Sequence, residues 1–307
     1  MTADPTALPS ADAVVDPDGT AAVPAPAAEA RASHRLRLPR DTEPADVLTM
    51  IRNVLPEAEE IDGVIDLGSD ARLVPDSGPR SAGRWTLEVP RLRDPEPVED
   101  LPDVYGFARA FPEGMPYGVE RQMLHLAWSL GRRLYGAVTT DGGVLLEPHP
   151  YAVRDLIVTS PNALVADDLL SLVQDLEPAA RLDIAPQSED AVGYSLAIPL
   201  DPDGGNDDEN DGTDGNDRDE IVLSVGPSSA PTALAEVGWL EEAVDHTIAH
   251  LPADGTEDAV ELPSDEVAAR WGDAYLRIGR LAGLLVENLG GYVSDIEGFL
   301  VDPAHLA

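Results

Sequence analysis

The chain contains no cysteine, and none of its 20 basic residues is lysine; all are arginine. Without Cys there is no disulfide framework, no thiolate nucleophile and no Cys-ligated zinc or iron–sulfur site. Without Lys there is no Schiff-base chemistry, no Lys general base and no P-loop, which needs its Lys on the phosphates. The bias toward Arg, Ala, Gly, Pro and Asp also has a simpler reading, the codon usage of a G+C-rich genome. Long apolar runs are missing too, none approaching the ~18 residues of a membrane-spanning helix. The N-terminus, Met1-Thr2-Ala3-Asp4, lacks the basic and apolar regions of a secretory signal. A cytoplasmic protein with no membrane partner is the expectation.

Acid is abundant. There are 58 Asp and Glu, giving a net charge of −38. A field of that sign repels nucleic acid and anionic membrane surfaces over roughly a Debye length, so no direct nucleic-acid partner is expected. A carboxylate lattice could still act as a decoy for nucleic-acid-binding proteins. The acid is unevenly distributed. Residues 34–150 carry 20 acids and 13 Arg, net −7, whereas residues 151–307 carry 33 acids and six Arg, net −27.

Hydrophobic content of 43% is enough for a packed core. Residues 1–33, mainly Ala, Pro, Asp and Thr, read as a disordered tail. Module 1 spans 34–150. It opens with an alternating strand from His34 and continues with a helix carrying Val47, Ile51, Val54 and Leu55. Extended stretches follow near Glu60–Leu67 and Arg84–Pro90, then a Pro- and acid-rich excursion over 92–117. A helix from about Tyr117 to Tyr135 and a hairpin turning at Asp141-Gly142-Gly143 complete it. Module 2, 151–307, restarts with a strand at Asp155–Val158, a helix over 165–176 and strands at Ala180–Ile184, Tyr194–Leu200 and Glu220–Val225. An acidic Asp/Gly/Asn insertion at 201–219 reads as disordered. Helices are expected at Thr232–Leu251 and Ser264–Leu289.

The two modules are copies. Residues 285–303, set 155 positions back, lie on residues 130–148 without a gap and with seven identities in 19, where about one is expected from composition. Leu285 falls on Leu130, Leu289 on Leu134, Gly291 on Gly136, Val293 on Val138, Gly298 on Gly143, Leu300 on Leu145 and Pro303 on Pro148. These are a helix end, turn glycines and one hairpin face, so the matches respect structure. Each copy reads as a two-layer α+β sandwich, an antiparallel sheet with helices, close to the ferredoxin-like β-α-β-β-α-β plan. Two such layers can cover each other's open sheet faces, so sheet-to-sheet packing about a pseudo-twofold is expected.

Catalytic and metal patterns are weak. An EF-hand loop starting at Asp207 has Glu209, Asp211 and Gly212 in place but puts Arg218 at the position that needs Glu. His246 and His250 would share one face of the expected helix, yet no third ligand is evident and the residue after the first His is Thr247. His125, near Trp128, reads as a packed histidine. No Gly-x-Ser-x-Gly elbow and no dinucleotide fingerprint occurs. No cofactor, no metal and no catalytic residue is assigned.

The cations are more informative. Arg31, Arg35, Arg37 and Arg40 fall within ten residues free of acid, and Arg109, Arg121, Arg132 and Arg133 lie near Phe111 and Tyr117. Arg's planar fork suits carboxylate and phosphate, so the candidate site is an Arg-lined groove on module 1 formed by Arg109, Arg121, Arg132 and Arg133 with Phe111 and Tyr117 as its apolar floor. The simpler reading has these Arg pairing internally with the excess acid. Arg132 and Arg133 fall opposite Glu287 and Asn288, so module 2 lacks that cationic pair. The runs Phe107-Ala108-Arg109-Ala110-Phe111-Pro112-Glu113-Gly114, Tyr117-Gly118-Val119-Glu120-Arg121 and Leu130-Gly131-Arg132-Arg133-Leu134-Tyr135-Gly136-Ala137-Val138 resemble a family of uncharacterised proteins of high-GC actinobacteria over residues 107–160. That resemblance implies an intracellular protein and carries no catalytic residue. The leading expectation is a non-enzymatic binding or regulatory protein whose partner is a protein or an anionic small ligand. The alternatives are a hydrolase or transferase with a carboxylate/His site between the modules, and the acidic decoy.

Overall fold

A computed structural model of the chain describes residues 30–78, 81–94, 96, 103–185, 193–201 and 219–305. Residues 1–29 of the expected tail and 202–218 of the acidic insertion, with its EF-hand-like run, lie outside the described residues.

The first strand, β1 (Arg31–Arg37), begins ahead of His34 because the period-2 pattern already runs there: Ala32, His34 and Leu36 are buried and Arg31, Ser33, Arg35 and Arg37 exposed. Module 1 continues with α1 (Pro44–Ile51), β2 (Glu59–Ile61), β3 (Val64–Gly68), β4 (Ala71–Pro75), β5 (Arg84–Pro90), a single turn α2 (Phe107–Ala110), α3 (Gly118–Arg133), β6 (Ala137–Thr139) and β7 (Leu145–Leu146). Module 2 has β8 (Leu156–Ser160), α4 (Ala166–Gln174), β9 (Arg181–Ile184), β10 (Tyr194–Pro199), β11 (Glu220–Pro227), β12 (Val244–Leu251), α5 (Asp265–Leu289), β13 (Tyr292–Asp295) and β14 (Leu300–Val301).

Each module is a seven-stranded antiparallel sheet, ordered β2-β3-β4-β5-β1-β6-β7 in the first and β9-β10-β11-β12-β8-β13-β14 in the second. The two orders are the same, element for element. The plan is the expected split β-α-β lengthened: three strands rather than one separate β1 from β2, with a further edge strand at the end. No helix among the described residues is long and apolar enough to cross a membrane.

One expected helix is absent. The stretch Thr232–Leu251 forms two short 3-10 turns, Thr232–Leu234 and Leu240–Glu242, followed by β12. Over 244–251 the buried positions on the core side are His246, Ile248 and His250, a period of two that ends up as a strand. The long C-terminal helix does form. Ser264 caps it by accepting from Val267 N–H at 3.3 Å, and Trp271, Ile278, Leu281, Leu285 and Leu289 give it a buried stripe.

The duplicated residues occupy equivalent places. Gly143 and Gly298 sit in the hairpin turns with φ of +82° and +87°. Gly136 and Gly291 lead from the helix into β6 and β13, where an added Cβ would overlap the carbonyl oxygen of Arg37 in β1 and of Thr159 in β8. Backbone approaches backbone at both corners, which only Gly permits. Gly136→Ala and Gly291→Ala are each expected to cost about 2 kcal/mol or more, measured by urea denaturation. The early elements match as well: Val47 and Ile51 of α1 and Leu169 and Val173 of α4 are fully buried, and Arg52 and Gln174 each donate to the carbonyl of the Ala six residues on, Ala58 and Ala180.

What joins the modules is a turn seated on helices. Phe299, from the β13–β14 turn, is buried as a member of the core cluster of module 1, which also includes Ile51, Met123 and Trp128. Leu300 N–H donates to Asn53 Oδ1 at 2.9 Å, just past the end of α1. The expected sheet-to-sheet packing is thus corrected: the outer face of β1, a central strand, stays exposed. A cation-bearing sheet face makes a poor cover for an apolar one.

Candidate functional site

The cation-rich set of module 1 separates into three environments. Arg132 and Arg133 end α3, where a cation also suits the helix C-terminus; under the module 2 turn Arg132 is buried and Arg133 partly buried. Arg132 Nη2 donates to Asp295 Oδ2 at 2.8 Å and Glu297 Oε2 at 3.0 Å, and its Nη1 donates to the carbonyls of Pro150 and Val153, each at 3.3 Å. Arg133 donates to Glu297 at 2.8 Å, pairs with Asp295, and lies 3.8 Å over the Phe299 ring. Ser129 Oγ completes the set by donating to Glu297 Oε1 at 2.6 Å. Burial opposes ionisation of Glu297, but Arg132 and Arg133 hold its carboxyl below the usual range. Burial and the neighbouring Arg132 pull Arg133 down to about 10, which still leaves it a cation at neutral pH.

Arg109 pairs across the modules with Glu261 and also donates to the Leu145 carbonyl at 2.9 Å. Being half exposed, that pair is worth under about 1 kcal/mol. Arg121 is exposed on α3, with only a 3.4 Å contact from Nε to His125 Nε2. Phe111 is buried beneath the Arg93 guanidinium, 4.6 Å from its ring centre, and Tyr117 is a half-exposed residue preceding α3. The expected groove residues are therefore not brought together: Arg132 and Arg133 face inward to module 2, and Phe111 belongs to the core.

A buried polar cluster in module 1 has no local signature in sequence. Glu120 of α3, fully buried, accepts from Leu92 N–H at 2.7 Å and from Arg93 Nε and Nη2 at 3.1 and 2.7 Å. Arg93 also donates to Asp141 at 2.7 Å. His34 Nδ1 accepts the Asp141 N–H at 3.1 Å, which places its proton on Nε2, 3.4 Å from Glu120. Burial disfavours the Glu120 carboxylate, but the facing His34 and hydrogen bonds from Arg93 and Leu92 hold it below its ordinary range. Apart from His34 Nε2, which makes no hydrogen bond, these groups satisfy one another around the start of the excursion. They tie the start of the excursion to α3 and to the β6–β7 turn.

The histidine readings resolve separately. His246 and His250 lie on the core side of β12, four residues and about 13 Å apart along a strand, so they cannot share a metal. His246 Nδ1 faces the Val158 carbonyl at 3.3 Å, and burial holds its pKa low. His250 accepts from Arg154 at 3.0 Å and meets Asp219 at 2.6 Å. No group of three or more metal-ligating side chains occurs among the described residues. Between the modules is a cavity of about 290 Å³ lined by Val54, Leu55, Tyr105, His125, Ser129 and Glu297, among others. Its carboxylate is held by Ser129, Arg132 and Arg133, and its His125 packs edge-on against Tyr105 and Phe107 at 4.2 and 4.9 Å. Its one hydroxyl–carboxylate pair, Ser129 with Glu297, is thus tied into the contact with Arg132 and Arg133.

Three further cations, Arg35, Arg37 and Arg84, are on the open face of the first sheet. β1 pairs with β5 so that Arg37 stands directly opposite Arg84 and Arg35 opposite Thr86, while β6 places Thr139 beside Arg35 on the other side. Arg35, Arg37 and Arg84 surround a depression of about 160 Å³ shared with Asp76, Thr139 and Leu145. Among the described residues the side chains of Arg35 and Arg84 have no hydrogen-bond or ion-pair partner, and Arg37 reaches only Glu147 at 3.9 Å, with both side chains mostly exposed. Like charges directly opposite across strands are destabilising. Three such cations are therefore held together around a single lining acid, Asp76, in a chain of net charge −38. Alternation over 31–37 could have flagged Arg35 and Arg37; Arg84 needed the register. Compared with family models, curated proteins and solved structures, the chain matches none.

Proposed function

We propose that this is a non-enzymatic binding protein, acting in the cytoplasm, which receives an anionic group on the Arg35–Arg37–Arg84 face of module 1. The observation that carries the reading is the direct opposition of Arg37 and Arg84, flanked by Arg35 and the Thr86 and Thr139 hydroxyls. Three guanidinium forks around a small depression match a carboxylate or phosphate, and the Thr139 hydroxyl adds a neutral donor, while Thr86 Oγ donates to Asp76 at 3.0 Å. The depression, at about 160 Å³, suits one such group rather than a whole nucleotide. The expected Arg-lined surface on module 1 is thereby moved from α3 to the sheet.

The test is a titration of the full chain with inorganic phosphate and with a Glu-rich hexapeptide at low salt. Binding is expected to weaken as NaCl is raised and to fall at least about tenfold in Arg84→Glu. The melting temperature should stay level or rise, because a like-charge opposition is removed. Equal binding by wild type and Arg84→Glu would refute the reading.

A further inference from the structure

The internal duplication allows each surface of one module to be compared with its counterpart in the other, and one counterpart is left open. In module 1 the groove between the end of α1 and the middle of α3 is filled by the β13–β14 turn: Phe299 enters the core, Gly298 sits against Val54, and Glu297 closes on Ser129, Arg132 and Arg133. The matching groove in module 2 runs between the end of α4 and the middle of α5. It is a cavity of about 450 Å³ lined by Leu176, Gly283, Leu284, Val286 and Glu287 with Arg280 at one side, and the C-terminal 3-10 turn at Pro303 and Ala304 forms a further wall. Leu176 stands where Val54 does, Leu284 where Ser129 does, and Gly283 where module 1 has the buried Trp128. The loss of that indole deepens the groove, and nothing lies within 4 Å of where a Gly283 Cβ would be.

The rim is now mixed, with the exposed Arg280 standing where His125 does. Glu287 and Asn288 occupy the places of Arg132 and Arg133, so an acidic turn like the one that fills module 1 has no receptor there. The hairpin turns of this chain carry Asp141 in one copy and Asp295 and Glu297 in the other. They would meet Glu287 with like charge, which disfavours a second copy as occupant. Module 2 as a whole, net −27, favours a basic one. We infer that the α4–α5 groove of module 2 is a docking site for a turn of a partner protein, with an aromatic or branched apolar tip flanked by Arg or Lys. The tip would fill the space over Gly283 as Phe299 fills the groove of module 1, and the flanking cation would pair with Glu287.

The probe is a cyclised peptide of the 292–301 hairpin carrying Asp295→Arg and Glu297→Arg, with the unaltered acidic hairpin as its comparison. Each is titrated into the full chain and followed by amide shifts at Gly283, Leu284 and Glu287. The basic peptide is expected to saturate with a Kd below about 1 mM, and to bind at least about tenfold tighter than the acidic one. Gly283→Leu should abolish that binding by filling the groove, while its thermal stability holds or rises because Leu is the better helix former. Glu287→Arg with Asn288→Arg should reverse the preference toward the acidic peptide. The proposal is overturned if neither peptide binds, if the acidic peptide binds better to wild type, if Gly283→Leu leaves binding intact, or if the groove instead mediates self-association.

Discussion

Arg132→Ala is expected to destabilise the protein by about 3–5 kcal/mol, the cost of removing one partner from a buried ion network. Arg132 is 7% exposed and its carboxylate partners Asp295 and Glu297 are 5% and 12% exposed. It also supplies the donors for two backbone carbonyls, Pro150 and Val153. After truncation two buried carboxylates share one cation, Arg133, and those carbonyls lose a partner. The effect should be mostly on the seating of the module 2 turn, so Phe299 becomes accessible and amide exchange at 295–300 rises before the sheets open. The acid limb gives an independent check. Because the folded pKa of Glu297 is depressed, its contribution to stability is complete above its unfolded value, near 4.5, and is lost as pH falls through the folded value. Without Arg132 that depression shrinks, and acid unfolding should begin at higher pH than in the wild type. Urea denaturation at pH 7 and pH 4 measures both effects.

Glu120→Ala is expected to produce a loss of the same order, about 3–5 kcal/mol, centred on a different part of the molecule. Glu120 is fully buried and is the common acceptor for Leu92 N–H and Arg93, with His34 Nε2 beside it. Its removal leaves Arg93 with Asp141 as its one carboxylate partner and takes away the carboxylate facing the buried His34. It also frees the start of the excursion, whose Leu92 carbonyl accepts from Tyr117 N–H at the entry to α3. Hydrogen exchange should therefore accelerate at Leu92 and Tyr117 while β10, β11 and β12 of module 2 keep their protection. Glu120 and Asp141 both have depressed folded pKa values, so this cluster too loses stability as pH falls below the ordinary carboxylate range. Uniform loss of protection in both modules would contradict the assignment of this cluster as a local anchor.

Much of the scaffold was written in short-range pattern. The stripe of α5, the alternation of β1 and β5 and the glycines at 136, 143, 291 and 298 are local signals, and they fix the copy number and most elements. The strand β12 departs from the expected helix because His246 and His250 count as polar in a periodicity although both are buried, His246 against the Val158 carbonyl of β8 and His250 against Arg154 and Asp219. Their spacing of four fits either a helix or a strand. The roles of the arginines depended on partners far away in sequence. Arg132 and Arg133 find Asp295 and Glu297 more than 160 residues on, so a run of cations without nearby acid looked free and was not. Arg84 became part of a site only through the β1–β5 register. Local composition identifies a cation; only the fold decides whether it is paired.

The central claim is that Arg35, Arg37 and Arg84 are the binding cations and that Arg132 and Arg133 are structural. Since the chain has 20 Arg and no Lys, a ¹⁵N spectrum of the Arg side-chain Nε–H groups observes every basic side chain at once. On titration with inorganic phosphate and the Glu-rich hexapeptide, the Nε–H signals of Arg35, Arg37 and Arg84 are predicted to shift together with one saturation curve, and those of Arg132 and Arg133 to stay in place. Shifts confined to Arg109, Arg121, Arg132 and Arg133, with Arg35, Arg37 and Arg84 unmoved, would contradict it.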